Sequence, residues 1–168
     1  SDYLIAYAAE KVAAANEISI WQGSSAVSGQ FDGLFTTAQA DPNLPIAQNI
    51  AGGAINAGNV IAALQSVYDA IPASLYGKAD LKIYVAQDVL KAYVAALGGF
   101  SVLATSNSGV NAQGTMWYNN GAVTFNGLPL FMANGLPSSS MMATTTSNLY
   151  FGCSLLSDTQ EVRVIDTS

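Results

Sequence analysis

The sequence predicts an α+β fold, and three features carry that prediction. A long Ala-rich segment free of Gly and Pro runs from Tyr3 to Trp21. Between Val60 and Leu97 the apolar spacing changes from three-and-four to strict alternation and back, which is a helix, strand, helix order. The last third holds short β-branched and aromatic runs divided by Asn-Gly and Ser-rich turns, as in a small sheet. At 168 residues the chain is one compact domain, or one domain with an attached extension, and is long enough to bury a core.

Each element has a local reason. Asp2 is a plausible N-cap for the first helix, whose residues Leu4, Ala8, Val12, Ala15 and Ser19 fall near one face and which Gly23 ends. The helix has few large apolar residues and is weakly amphipathic, so it is expected to lean away from the core or pack on it only in part. Ser24 to Pro45 carries Gly, Ser, Asp and Pro around Phe31, Leu34 and Phe35, which predicts an extended connection pinned by a few apolar anchors. Val60, Ile61, Leu64, Val67, Tyr68 and Ile71 mark a second helix, capped by Asn56 or Asn59 and stopped by Pro72. Leu81 to Val85 alternates and is β-branched, a strand. Asp88 in a first turn, Val89, Leu90, Tyr93, Val94 and Leu97 on one face, and Gly98-Gly99 beyond the end define a third helix.

Phe100 to Thr115 is a Ser/Asn/Gly loop without a period, expected to be mobile in isolation. Asn120-Gly121 between Met116-Trp117-Tyr118 and Ala122 to Phe125 predicts a hairpin, since both turn positions tolerate positive φ. Further strands are expected at Leu128 to Ala133, Met141 to Thr145 and Glu161 to Ile165, with a shorter one at Leu149-Tyr150-Phe151.

Composition narrows the chemistry. The chain has no histidine, one cysteine, five basic and eleven acidic residues, so Ser-His-Asp and Cys-His catalysis and histidine-containing zinc sites are excluded within it. Carboxylates, lysines and hydroxyls remain. The five basic residues, Lys11, Lys78, Lys82, Lys91 and Arg163, are dispersed and the net charge is −6, which argues against direct nucleic-acid binding. Hydrophobic residues make up 51% of the sequence and the mean hydropathy is +0.31, yet no apolar run approaches the roughly 20 residues of a membrane span. This excess apolarity points to surfaces covered by other subunits. With Asp2 and Glu10 and no basic leader, the N-terminus does not read as a signal peptide. A single cysteine fits synthesis in a reducing compartment.

Candidate motifs weigh toward structure. The glycine-rich Asn49 to Gly58 stretch leads into a helix but lacks the Lys-Ser/Thr ending of a phosphate loop and is not GxGxxG, so it reads as a flexible lead-in. Asp32, Asp41 and Asp158 sit in predicted loops where a glycosidase-like pair could be imagined, but nothing in the spacing pairs them, and turn formation accounts for such residues. Cys153 has no basic neighbour to activate it, and Met141-Met142 reads as core or interface filler. The aromatics Trp21, Phe31, Phe35, Trp117, Tyr118, Tyr150 and Phe151 are interleaved with Gly, Asn and Ser rather than Lys and Arg, which favours packing over base stacking. No catalytic, cofactor-binding or metal residue is assigned.

The order of these elements resembles a known family. Ala122 to Thr167 runs AVTFNGLPLFMANGLPSSSMMATTTSNLYFGCSLLSDTQEVRVIDT, and earlier the helix ending Ile18-Ser19-Ile20-Trp21-Gln22-Gly23 is followed by a Gly/Ser loop and Phe31-Asp32-Gly33-Leu34. Both landmarks resemble the major capsid proteins of tailed bacteriophages with the Hong Kong ninety-seven type of shell fold, a fold shared with encapsulins. On that resemblance, residues 1–45 look like the spine helix and its connection, and residues 46–168 look like the axial domain, a small sheet flanked by helices. The family's N-terminal arm, long β-hairpin loop and final strands have no counterpart here, which implies a fragment. The resemblance further implies a non-enzymatic subunit of an icosahedral shell enclosing double-stranded DNA. Such a subunit is made in the bacterial cytoplasm, self-associates into pentamers and hexamers through neighbouring subunits, and has no cofactor, no specific nucleic-acid contact and no membrane partner. An encapsulin-like non-viral shell protein and a small carboxylate-dependent hydrolase are the alternatives.

Overall fold

The computed structural model describes residues 2–97, 118–119, 122–150 and 152. The fold is mixed α+β. Helix α1 spans Asp2–Gln22, α2 Leu34–Ala40, α3 Val60–Asp69 and α4 Gln87–Ala96. The strands are β1 Leu81–Val85, β2 Tyr118–Asn119, β3 Ala122–Phe125, β4 Leu128–Met132 and β5 Met141–Thr145. They lie in the order β2-β3-β4-β1-β5. The β1 strand runs parallel to β4, pairing Ile83 with Leu130, and antiparallel to β5, pairing Ile83 with Ala143. The parallel pair follows from α4, which carries the chain back across the sheet after β1.

Period-two alternation gives the sheet two unlike faces. Leu81, Ile83 and Val85 share a face with Leu130 and, through the Phe125–Leu128 pair, with Phe125. The Phe125 ring lies 6.0 Å from Tyr93 of α4 and 6.4 Å from Tyr68 of α3, so both helices cover this face. Here the core is densest, with Val60, Leu64, Leu81, Ile83, Val85 and Val89 essentially without exposure. Burying such a side chain contributes roughly 1.5–3 kcal/mol. On the opposite face stand Lys82, Tyr84, Phe131, Met142 and Thr144. The end of α1 packs there, with the Trp21 ring 5.4 Å from that of Tyr84; Tyr84 and Thr144 are buried, and Phe131 stays exposed.

Turn chemistry sets the register. Asn126 and Gly127, at φ 47° and 82°, form a two-residue connection between β3 and β4 whose primed geometry matches the strand twist. Gly77, at φ 90°, turns the chain ahead of β1. Asn59 does occupy the N-cap of α3, but its side chain bonds backwards: Oδ1 accepts from the Asn56 N–H at 2.7 Å and Nδ2 donates to the Ala54 carbonyl at 2.9 Å.

Two sequence expectations are corrected. The connection from Ser24 to Pro45 is not extended throughout, because Leu34–Ala40 forms α2. Gly33, its N-cap, packs so closely on the Trp21 and Gln22 backbone that a Cβ would collide there, and Leu34 and Phe35 are thereby delivered to the core. Leu149-Tyr150 is not a strand either. A 3-10 turn at Thr146–Asn148 intervenes, held by Asp80, whose carbonyl accepts from the Thr146 N–H and whose carboxylate accepts from the Ser147 N–H. Asp2 already lies within α1 rather than capping it. The Phe100 to Thr115 loop, the Asn120-Gly121 turn, Met116-Trp117 and the Glu161 to Ile165 strand lie outside the described residues.

Candidate functional site

The structure brings two of the three loop carboxylates together. Asp32 and Asp41 line one shallow, open depression of about 340 Å³ with Thr36, Thr37 and Ala40 of α2. Both carboxylates are engaged by their own loops. Asp32 accepts from the Ser25 N–H at 2.7 Å and the Ser25 hydroxyl at 3.0 Å, and these bonds hold its pKa below the usual carboxylate value. Asp41 accepts from the Asn43 N–H at 2.8 Å and its side-chain amide at 3.1 Å, an Asx turn. An exposed carboxylate with a lowered pKa is a poor proton donor at neutral pH, and the depression offers no enclosure that would exclude water. Asp158 and Cys153 lie outside the described residues.

A third carboxylate, Asp88, works as a clasp. Its Oδ2 accepts from the Ser138 hydroxyl at 2.6 Å, the Ser139 N–H at 2.8 Å and the Ser139 hydroxyl at 3.3 Å. The Ser139 hydroxyl also accepts from the Ile55 N–H at 3.0 Å, so the glycine-rich lead-in, the β4–β5 loop and the start of α4 meet at one point. Partial burial pushes the Asp88 pKa up, but the bonds from Ser138, Ser139 and the Val89 N–H outweigh it and leave the pKa lowered. Among the described residues the glycine-rich stretch is thus tied to a serine rather than arranged around an anion site, and no group of three metal-ligating side chains occurs.

The described aromatics of that set divide evenly between packed and exposed. Trp21 is buried, Phe35 is half-buried against the core, and Phe31 and Tyr150 are exposed. Met141 and Met142 are half-buried on β5, as filler for the sheet. Among the described residues no helix is long and apolar enough to cross a membrane.

The exposed part of α1 forms an unusual surface. Every side chain from Leu4 to Asn16 is exposed, including Leu4 at 70%, Ile5 at 56% and Val12 at 50%. Of the face anticipated from Leu4, Ala8, Val12, Ala15 and Ser19, the first four are exposed; contact with the rest of the chain is made at the end of the helix, through Glu17, Trp21 and Gln22. Apolar residues surround the helix, a pattern proper to a segment covered on several sides. Beside it, Phe131 remains 51% exposed on the sheet face that α1 only partly covers, with the Lys82 ammonium 5.8 Å from its ring centroid. Sequence reading singled out neither Lys82 nor Phe131; the signal for Lys82 was a charge placed between Leu81 and Ile83 in an otherwise apolar strand.

No protein-family model, curated protein or solved structure matches this chain.

Proposed function

We propose that this chain is a structural subunit of an icosahedral shell of the tailed-bacteriophage type, working through association with copies of itself and without a catalytic site. The observation that carries the reading is α1: a 21-residue helix with apolar residues distributed around it, whose side chains from Leu4 to Asn16 are exposed in the single chain. Leaving Leu4, Ile5, Val12 and Ile18 in water forgoes roughly 25 cal/mol per Å² of apolar surface, which subunit contacts recover. The helix, strand, helix order and the AVTFNGLPLF and NLYFG segments support the same assignment by their resemblance to the shell family. The acidic charge fits a wall that encloses DNA without gripping its phosphates.

The test is expression in bacteria followed by gradient sedimentation and electron microscopy. The reading expects association into rings of five or six copies or larger assemblies built from them. Recovery of a discrete small species that turns over a glycoside or ester substrate, with turnover lost in Asp32→Asn or Asp41→Asn, would favour the hydrolase instead.

A further inference from the structure

We propose that the exposed part of α1 docks on the Phe131–Lys82 patch of a second copy of this chain, with Glu10 on Lys82 and Tyr7 against Phe131. The inference rests on the self-association proposed above and names the surfaces that make it. Tyr7, Glu10, Ala14, Ile18 and Trp21 recur at intervals of three and four, so they form one stripe along the helix. The Trp21 end of that stripe already rests on Tyr84 of its own sheet. Tyr7 sits 14 residues, about 21 Å, further up the same side, half exposed with the Lys11 ammonium 5.3 Å from its ring centroid.

The receiving patch fits that stripe in chemistry. Phe131 is half exposed beside Lys82 and Tyr84, and among the described residues no carboxylate pairs with Lys82. Glu10 is exposed on the stripe and is likewise without a basic partner among them. The exposed stretch from Leu4 to Asn16 is about 20 Å long at 1.5 Å per residue. A lipid surface is the poorer partner, because the described exposed part of α1 carries Lys11 against Glu10 and has no basic polar face. Donor and acceptor are different patches, so the contact is heterologous: every copy gives one helix and receives one, and the series closes into a ring when the rotation permits.

Charge reversal tests this on the full chain. Glu10→Lys and Lys82→Glu should each weaken self-association by at least about tenfold, and the double variant should restore it, because like charges across an interface repel and swapped ones pair again. In a Cys153→Ser background, Glu10→Cys and Lys82→Cys prepared separately and mixed under mild oxidation should give a covalent dimer more readily than either alone. This second readout stands even if Lys82→Glu lowers stability. Wild-type assembly with unaffected single reversals, or with no preferential cross-link in the mixture, overturns the inference and leaves the shell reading intact. A wild-type chain that never associates overturns both.

Discussion

Trp21 stacks on Tyr84 with ring centroids 5.4 Å apart and planes tilted by 47°, and this contact fixes the end of α1 to the sheet. Around it, Gln22 Nε2 donates to the Gly135 carbonyl at 2.8 Å and the Asn134 N–H donates to Glu17 Oε1 at 3.0 Å. The helix is therefore anchored at one end and exposed from Leu4 to Asn16 in the single chain. Replacing Trp21 with Ala should cost about 3–5 kcal/mol in urea unfolding, and the loss of α1 should lower the helical circular dichroism before the sheet unfolds. Trp21→Phe, which keeps a ring on Tyr84, should cost clearly less.

The same anchor depends on the absence of a side chain at Gly135. A Cβ there would collide with the Glu17 carbonyl oxygen and come within 2.7 Å of Trp21 Cδ1. Gly135→Ala should destabilise the protein by about 1–3 kcal/mol, the usual range for overpacking, and should move Trp21 fluorescence toward that of an exposed indole. Gly29→Ala is the control for a neighbouring loop: its Cβ would meet no atom, so any cost there comes only from the positive φ of 83°.

Acid should loosen the Asp88 clasp. Its folded pKa lies below the ordinary value of 3.8, so the stabilisation it provides is complete above that value and is lost as pH falls through the folded pKa. Asp32 and Asp80 are lowered as well, by bonds from Ser25 and Ser147, and add to the same trend from exposed positions. Thermal unfolding followed from pH 6 down to pH 2 should show a falling Tm that steepens below about pH 4. Asp88→Asn should flatten that slope while lowering stability at neutral pH.

At the alkaline end Tyr93 dominates. Burial pushes its pKa up to about 12, and its hydroxyl donates to the Thr124 carbonyl at 2.9 Å. A raised folded pKa gives stability that is present below the ordinary value of 10 and lost as pH rises through about 12. Tyr93→Phe should cost about 1 kcal/mol at neutral pH by removing the hydrogen bond, and should remove that part of the alkaline transition.

Elements whose pattern is decided locally were legible in the sequence. Leu81 to Val85 could be read as a strand because alternation and β-branching agree, and Val60 to Asp69 as a helix because its apolar spacing ends just before Pro72. Leu34–Ala40 escaped because Gly33, Thr36 and Thr37 argue against a helix, and the segment is organised by the close approach of Gly33 to the end of α1, a contact distant from any local signal. Leu149-Tyr150 looked like a strand on composition, but Asp80 holds the preceding residues in a 3-10 turn. At the sites, Asp32 and Asp41 were legible as turn formers, and Asp88 as a first-turn acid. The bonds from Ser138 and Ser139 to Asp88, and the exposure of Phe131 beside Lys82, depend on which sheet face each helix covers, and periodicity alone does not encode that.

The most direct test of the central claim, that the apolar α1 exists to be covered by copies of the same chain, is the light-scattering mass across a range of protein concentration. The account predicts a mass that climbs to many multiples of 17.3 kDa as concentration rises. In Leu4→Gln/Val12→Gln that rise should be strongly reduced while unfolding stability stays within about 0.5 kcal/mol of wild type, since both side chains are exposed. A mass of 17.3 kDa at every concentration, or an increase that the double substitution leaves unchanged, would contradict it.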